Sequence, residues 1–355
     1  AQQLRASSPG SRTVFTCDPD MATCSATATL PSFAIGNSAI TNTLLKVDAT
    51  DRDDTINWAR GADLDDEDGN GDATDMRSTG HGDVVHSRPV ALNYNTDAAQ
   101  KVVVFYSGND GMLRAINGNR PDIAGRVDPT GIDPGEEIWA FMPPEFYGYI
   151  DILRSNDETI NFPSSSADAP NAGISKPYGI DGPLTAFEGD VPGVGTDKKY
   201  LYAGLRRAGR AIYAFDVTSL TAPKMLWKKG CPDLATDTGC TTGWEDVGQT
   251  WSQPNVAYGR GYTLSTAMKP MLIMGGGYDG CEDDDNNTTA NNSCPADPKG
   301  NIIYILDAFD GTILKTFSTD RGVAGGVTVV PYGENDPGIM FAYATDLGGN
   351  IYRIS

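Results

Sequence analysis

The feature that most limits what this chain can fold into is a layout repeated four times. Each copy opens on a Ser-x-Pro or Gly-Pro step followed by alternating apolar residues: Ser87-Arg88-Pro89-Val90, Asp181-Gly182-Pro183-Leu184, Ser252-Gln253-Pro254-Asn255-Val256 and, more loosely, Gly325-Gly326-Val327-Thr328-Val329. A β-branched strand, a Gly-rich turn and a strand ending near Asp or Asn then follow. The first copy is the most regular: Val102–Tyr106, the turn Gly108-Asn109-Asp110-Gly111, Met112–Ile116, and a third run closing on Trp139. Asn-Asp-Gly admits positive φ at low steric cost, so two strands fold back on each other there. The second copy carries 199–217 and KMLWKKG, the third 270–279 and 300–317, the fourth 339–355. Period-two apolar alternation between turn residues is a strand signal. Short antiparallel strands recurring every roughly 45–90 residues are the pattern of β-propeller blades. A β-sandwich does not explain why the turn and the following strand recur together. The expected fold is therefore all-β: a modified propeller with four-stranded blades and long insertions, the blades resembling the quinoprotein-like type. About four units over 81–355, the last incomplete, leave the ring open, and residues 1–80 lead into it. The opening AQQLRASSPGSR reads as the middle of a longer chain.

Residues 1–47 read as a hairpin with a loop between Cys17 and Cys24 at its tip. Residues 50–60 read as a helix, with Thr50 or Asp51 as cap and Gly61 as stop. The acidic loop that follows places Asp66, Asp68, Asn70 and Asp72 at alternate positions around Gly71, with Asp75 beyond. Alternate oxygen donors on a tight Gly turn match the first half of an EF-hand loop, because Ca²⁺ takes about six to eight oxygens. Position twelve of such a loop is Arg77 rather than a bidentate Glu, so Asp75 or a residue elsewhere has to complete the shell. An unliganded, solvated loop is the alternative. The second acid block, Glu282 to Asn287, has consecutive charges that suit a mobile surface loop better than a cage.

The six cysteines form neighbouring couples, Cys17/Cys24, Cys231/Cys240 and Cys281/Cys294, each bracketing a polar loop and none with metal-site CxxC spacing. Local disulfides in an oxidising compartment are expected, with free thiols as the alternative. The net charge of −20 argues against nucleic acid as partner. No run of about 18 apolar residues occurs, so no membrane-spanning helix is expected. The only histidines, His81 and His86, flank a strand start and suit hydrogen bonding at a blade entrance. A Gly-x-Ser-x-Gly elbow, a His-Glu-x-x-His pair and a P-loop are all missing. Trp139 and Trp227 sit where blades place structural aromatics.

The segments HGDVVHSRPVALNY, VVVFYSGNDGMLRAING, EEIWAFMPPEF, KPYGIDGP, GLRRAGRAIYAFDVT, WSQP, GGGYD and DLGGNIYRI resemble, in order, the C-terminal propeller of the PilY1/PilC family of type IV pilus tip-associated adhesins. The resemblance covers about residues 50–355 and leaves out the family's N-terminal half, often a von Willebrand A-like domain. It implies a non-enzymatic surface protein exported through the periplasm, associated with the outer membrane and pilus tip, that works with minor pilins and supports adhesion to a host or surface receptor. It also implies a Ca²⁺ loop tied to pilus extension and retraction. Asp66–Asp75 matches that loop type better than Glu334-Asn335-Asp336. Two other functions compete: a quinoprotein dehydrogenase using a PQQ-type quinone, weakened by the blade count and the lack of adjacent cysteines, and a generic surface scaffold.

Overall fold

The computed structural model describes residues 8–17, 29–94, 101–119, 132–161, 173–283, 294–295, 297–333 and 336–355. A two-residue strand β1 (Val14–Phe15), helices α1 (Asn42–Leu45) and α2 (Arg52–Ala59), and the acidic loop precede the repeated part. The first unit is a meander of β2 (Val90–Asn93), β3 (Val102–Ser107), β4 (Leu113–Asn117) and β5 (Glu137–Phe141), every pair antiparallel. Helix α3 (Ile150–Ser155) and a short parallel pair, β6 (Ile160–Asn161) and β7 (Ile174–Ser175), connect it to the second unit. That unit is β8 (Leu184–Val191), β9 (Gly195–Gly204), β10 (Arg210–Asp216) and β11 (Lys224–Cys231). The third is β12 (Asn255–Leu264), β13 (Ala267–Gly275), β14 (Ile302–Asp307) and β15 (Ile313–Ser318). The fourth has β16 (Thr328–Gly333), β17 (Asp336–Thr345) and β18 (Ile351–Ile354), and one parallel bridge, Tyr258 to Gly338, joins it to the third. The chain is all-β in its sheets, and among the described residues they do not close into a ring.

The recurrent strand opening is a latch. Ser87 Oγ accepts the N–H of Ser107, at the end of β3, at 3.0 Å, and Ser252 Oγ accepts that of Gly275, at the end of β13, at 2.8 Å. In the second unit Asp181 stands at the serine's position, and the next residue, Gly182, donates its N–H to Gly204 O, at the end of β9, at 3.2 Å. A Cβ at Gly182 would lie 2.5 Å from that carbonyl oxygen, so the close approach of the two chains requires glycine. The latched openings converge: Arg88, Pro183, Gln253 and Gly326, one from each unit, line a single cavity.

From that convergence the sheets stack face to face. On β10, Ala211, Tyr213 and Phe215 pack against Phe105, Trp139 and Phe141 of the first unit, while Ile212 and Ala214 face Leu272, Tyr304 and Leu306 of the third. Strand period two sends alternate side chains to opposite faces, so a strand buried on both reads as continuously apolar. The third unit meets the fourth through Ile273, Ile303, Val327, Ala342 and Ala344. Fully burying one of the Ile, Leu, Val or Phe side chains among them stabilises by about 1.5–3 kcal/mol. Two tryptophans add a repeated polar tie. Trp139 Nε1 on β5 donates to Leu220 O beyond β10 at 2.9 Å, and Trp227 Nε1 on β11 donates to Ala308 O beyond β14 at 3.2 Å.

Two elements differ from the expectation for 1–60. Residues 14–16 and 31–33 do pair, through Phe33 N–H to Val14 O at 2.8 Å and Thr16 N–H to Pro31 O at 2.9 Å, but the loop tip lies outside the described residues. Val14–Phe15 also joins β5 in parallel as a fifth strand, because the outer edge of β5 offers unpaired backbone groups. The expected helix is α2. Asp51 stands at its N-cap without a side-chain cap bond, and Gly61 ends it at φ +108°. Leu45, Ile56, Trp58, Met112, Met142 and Tyr147 form the core of this cap on the first unit. Among the described residues no helix is long and apolar enough to cross a membrane.

Candidate cation loop

The acidic loop is closed at its base by Asp63 N–H to Asp75 O at 3.1 Å. Between those points alternate side chains turn inward onto the loop's own backbone. Asp66 Oδ1 accepts Gly71 N–H at 2.9 Å, Asp68 Oδ1 accepts Asn70 N–H at 3.1 Å, Asn70 Oδ1 accepts Asp72 N–H at 2.6 Å and Asp72 Oδ1 accepts Thr74 N–H at 2.9 Å. These bonds arise because Asp and Asn reach N–H groups a few residues on. Gly69 and Gly71 supply positive φ at +73° and +79°, and Asp66 itself adopts +51°. Hydrogen bonds from Thr74 hold the Asp72 carboxyl below its ordinary value.

At the centre, Asn70 Nδ2 bridges Asp68 Oδ2 at 3.2 Å and Asp75 Oδ2 at 2.8 Å, an amide donor lying between two carboxylates. Two carboxylate oxygens near the base, Asp75 Oδ1 and Asp63 Oδ2, are buried without a hydrogen-bond partner. An orphaned buried carboxylate oxygen is costly unless something positive meets it. Asp63 is the residue that sequence spacing missed, since it falls before the alternating run. The structure does not bring the loop carboxylates together as a cage: no three of them offer oxygens within 4.8 Å of one another. The position-twelve residue takes no part: Arg77 is 5% exposed, lies 3.7 Å over the Trp58 ring and donates to Thr79 O at 2.9 Å. Burial lowers its pKa to about 10. Among the described residues the one set of three acid, His or Cys ligand atoms within 4.8 Å is Cys231, Asp237 and Cys240, whose two sulfurs are joined to each other.

Cys231 bonds to Cys240 and Cys281 to Cys294; Cys17 is also disulfide-bonded, and Cys24 lies outside the described residues. The second acid block departs from the expected mobile loop at its start. Asp283 accepts Arg207 Nη1 and Nη2 at 2.6 and 2.9 Å and Tyr278 Oη at 2.8 Å, and Glu282 pairs with Arg321 at 2.5 Å. These two acids are anchored because the cationic side chains of Arg207, in the β9–β10 turn, and Arg321, in the loop after β15, reach them; residues 284–293 lie outside the described residues. Asp336 pairs with Arg260, and Glu334 and Asn335 are outside the described residues. Both histidines are hydrogen-bonded near the strand start. His81 Nε2 meets Tyr106 Oη at 2.7 Å, and His86 Nδ1 meets Asp181 Oδ2 at 2.7 Å.

No family model matches the sequence. Over 297 residues the chain is 27% identical to the type IV pilus biogenesis factor PilY1 of Pseudomonas aeruginosa (strain UCBPP-PA14), covering 77% of this chain and 20% of that protein. Over 306 residues it is 26% identical to the PilY1 homolog of Xylella fastidiosa (strain Temecula1), covering 79% and 20%. The chain is a distant relative of PilY1. It spans about a fifth of the length of these relatives. Superposed on the crystal structure of the P. aeruginosa PilY1 C-terminal domain it gives a TM-score of 0.42 at 21% identity, over 71% of this chain and 38% of that chain. A quinohemoprotein alcohol dehydrogenase from Pseudomonas putida HK5 gives 0.31 at 15% identity, over 77% and 40%. Both superpositions are loose.

Proposed function

We propose that the four meander units are blades of a modified β-propeller serving as a non-enzymatic module of a type IV pilus-associated surface protein. The observation that carries this reading is the match to PilY1 along 297 residues, most of this chain. The blade reading is supported by the convergence of four strand openings on one cavity, the face-to-face stacking, and the repeated tryptophan ties. In this reading the module takes part in pilus biogenesis and adhesion at the pilus tip, beside minor pilins, after export through the periplasm. The disulfide-bounded inserts agree with an oxidising compartment.

Calcium enters the proposal through the acidic loop. Asp66, Asp68, Asn70, Asp72 and Asp75, joined by Asp63, would hold the ion. Bound there, it would neutralise the packed carboxylates and stiffen the loop against Trp58 and Arg77, which gives pilus extension and retraction a route to Ca²⁺ sensitivity.

The test is an in-frame deletion of residues 81–355 from the chromosomal gene of the source cells. Loss of surface pili and of twitching, with the shortened protein still exported at normal level, is the expected outcome. Normal piliation, twitching and surface attachment in that strain overturn the proposal.

A further inference from the structure

The cavity on which the four strand openings converge has a volume of about 500 Å³ and an unusual lining for a chain of net charge −20. Arg88 projects to it and makes no hydrogen bond or ion pair among the described residues. Arg206, across the cavity, is fixed from several sides. Its Nη1 donates to Asp181 Oδ2 at 3.2 Å, and its guanidinium lies 3.9 Å over the Trp251 ring. Trp251 stacks on Tyr278 at 4.3 Å, whose hydroxyl is tied to Asp283 at 2.8 Å. Arg206 also holds φ at +53°, a left-handed conformation that an arginine keeps only when its surroundings impose it. Asp181, 2% exposed, orients His86 at 2.7 Å as well.

From this geometry we infer that the cavity is a binding site for a carboxylate. A planar guanidinium offers paired N–H donors that match a carboxylate fork, and Arg206 presents one already immobilised, so little ordering entropy is lost when a ligand arrives. Arg88 and Arg206 against Asp181 leave one net positive charge facing the cavity. A monoanionic group balances that charge, whereas a phosphate dianion over-fills it and meets the fixed Asp181 charge. Gln253, which donates to Leu184 O at 2.9 Å, and the rigid Pro183 complete a wall that does not rearrange. The carboxylate comes from a free organic acid or from an acidic side chain of a peptide. Neither source depends on the pilus reading, so the two proposals fail separately.

Isothermal titration of the purified chain at low salt uses four probes: sodium propionate, an N-acetylated and C-amidated pentapeptide with one central Glu, its Gln counterpart, and inorganic phosphate. Propionate or the Glu peptide is expected to bind at least about tenfold more tightly than the Gln peptide or phosphate, with the tighter of the two identifying the source. Arg88→Ala and Arg206→Gln each weaken that binding at least about tenfold, and raised salt weakens it as well. Arg88 is exposed, so its removal tests the site without disturbing the fold. No carboxylate binding, tighter phosphate binding, or unchanged affinity in Arg88→Ala overturns the inference.

Discussion

Replacing Asp110 by asparagine removes one charge from a buried, balanced group of four. Asp110 Oδ1 accepts Arg114 Nη1 at 3.0 Å and its Oδ2 pairs with Nη2 of the same guanidinium. Arg114, with a side chain 1% exposed, also lies 3.2 Å from Glu137 Oε2, a contact that has the distance of an ion pair without the angle of a hydrogen bond. Glu137 in turn accepts Arg12 Nε at 2.9 Å and Nη2 at 3.0 Å. Two cations and two anions cancel, and asparagine leaves the cluster with one uncompensated positive charge. Removing one partner of a buried pair costs about 3–5 kcal/mol. Glu137 still offsets part of the charge and asparagine keeps an acceptor, so the expected loss is about 2–4 kcal/mol. At about 2 °C per kcal/mol for a domain of this size, the melting temperature should fall by about 4–8 °C. Burial works to raise the Asp110 pKa, and the Arg114 charge and hydrogen bonds outweigh it, holding the carboxyl well below the ordinary range. A depressed native pKa contributes stability that is complete above the unfolded value of about 3.9 and is lost as pH falls below it. Melting of wild type and Asp110→Asn from pH 7 to pH 3 should therefore show a gap that is widest at neutral pH and narrows below about pH 4. Adding Arg114→Met to the variant should recover part of the loss. A gap under about 1 °C at pH 7, or one that stays constant to pH 3, refutes the account.

Three further outcomes test other parts of the molecule. Asp68→Ala is expected to weaken Ca²⁺ binding by about tenfold in calorimetry, and unchanged binding removes the acidic loop from the cation proposal. Replacing Cys231 and Cys240 together by serine opens a loop of separation 9, for which chain entropy gives about 2.5 kcal/mol of lost stability in denaturant titration. A loss below about 0.5 kcal/mol would mean that the lattice of Arg210, Asp237 and Lys299 bonds already holds that insert. The outer face of the fourth unit exposes Val330, Tyr343 and Ile351, the last 75% accessible. Tyr343→Lys with Ile351→Lys should reduce concentration-dependent self-association in sedimentation without lowering the melting temperature; equal association in the variant assigns it to another surface.

What could be foreseen from the sequence was whatever local chemistry dictates. Alternating apolar residues between turn formers placed the strands of all four units. The Asp-x-Asp-x-Asn-Gly-Asp order marked a curled loop, because its hydrogen bonds span only a few residues. The identity of that loop's neighbours was beyond local reading. Arg77, the twelfth-position mismatch, turns out to lie against Trp58, and Asp63 supplies an unsatisfied oxygen at the base from outside the alternating run. Val14–Phe15 became an added strand because β5 had an open edge, a fact that belongs to the sheet and not to either segment. Asp181 meets His86 across 95 residues of chain, and Arg206 meets the same histidine across 120. Charges and rings so far apart in sequence come together through the stacking of whole units. The sequence by itself determined the strands, their turns and their repetition, which depend on neighbours within a few residues. The tertiary structure alone decided which faces are covered and which cations and carboxylates meet, because those depend on how independent units pack against one another.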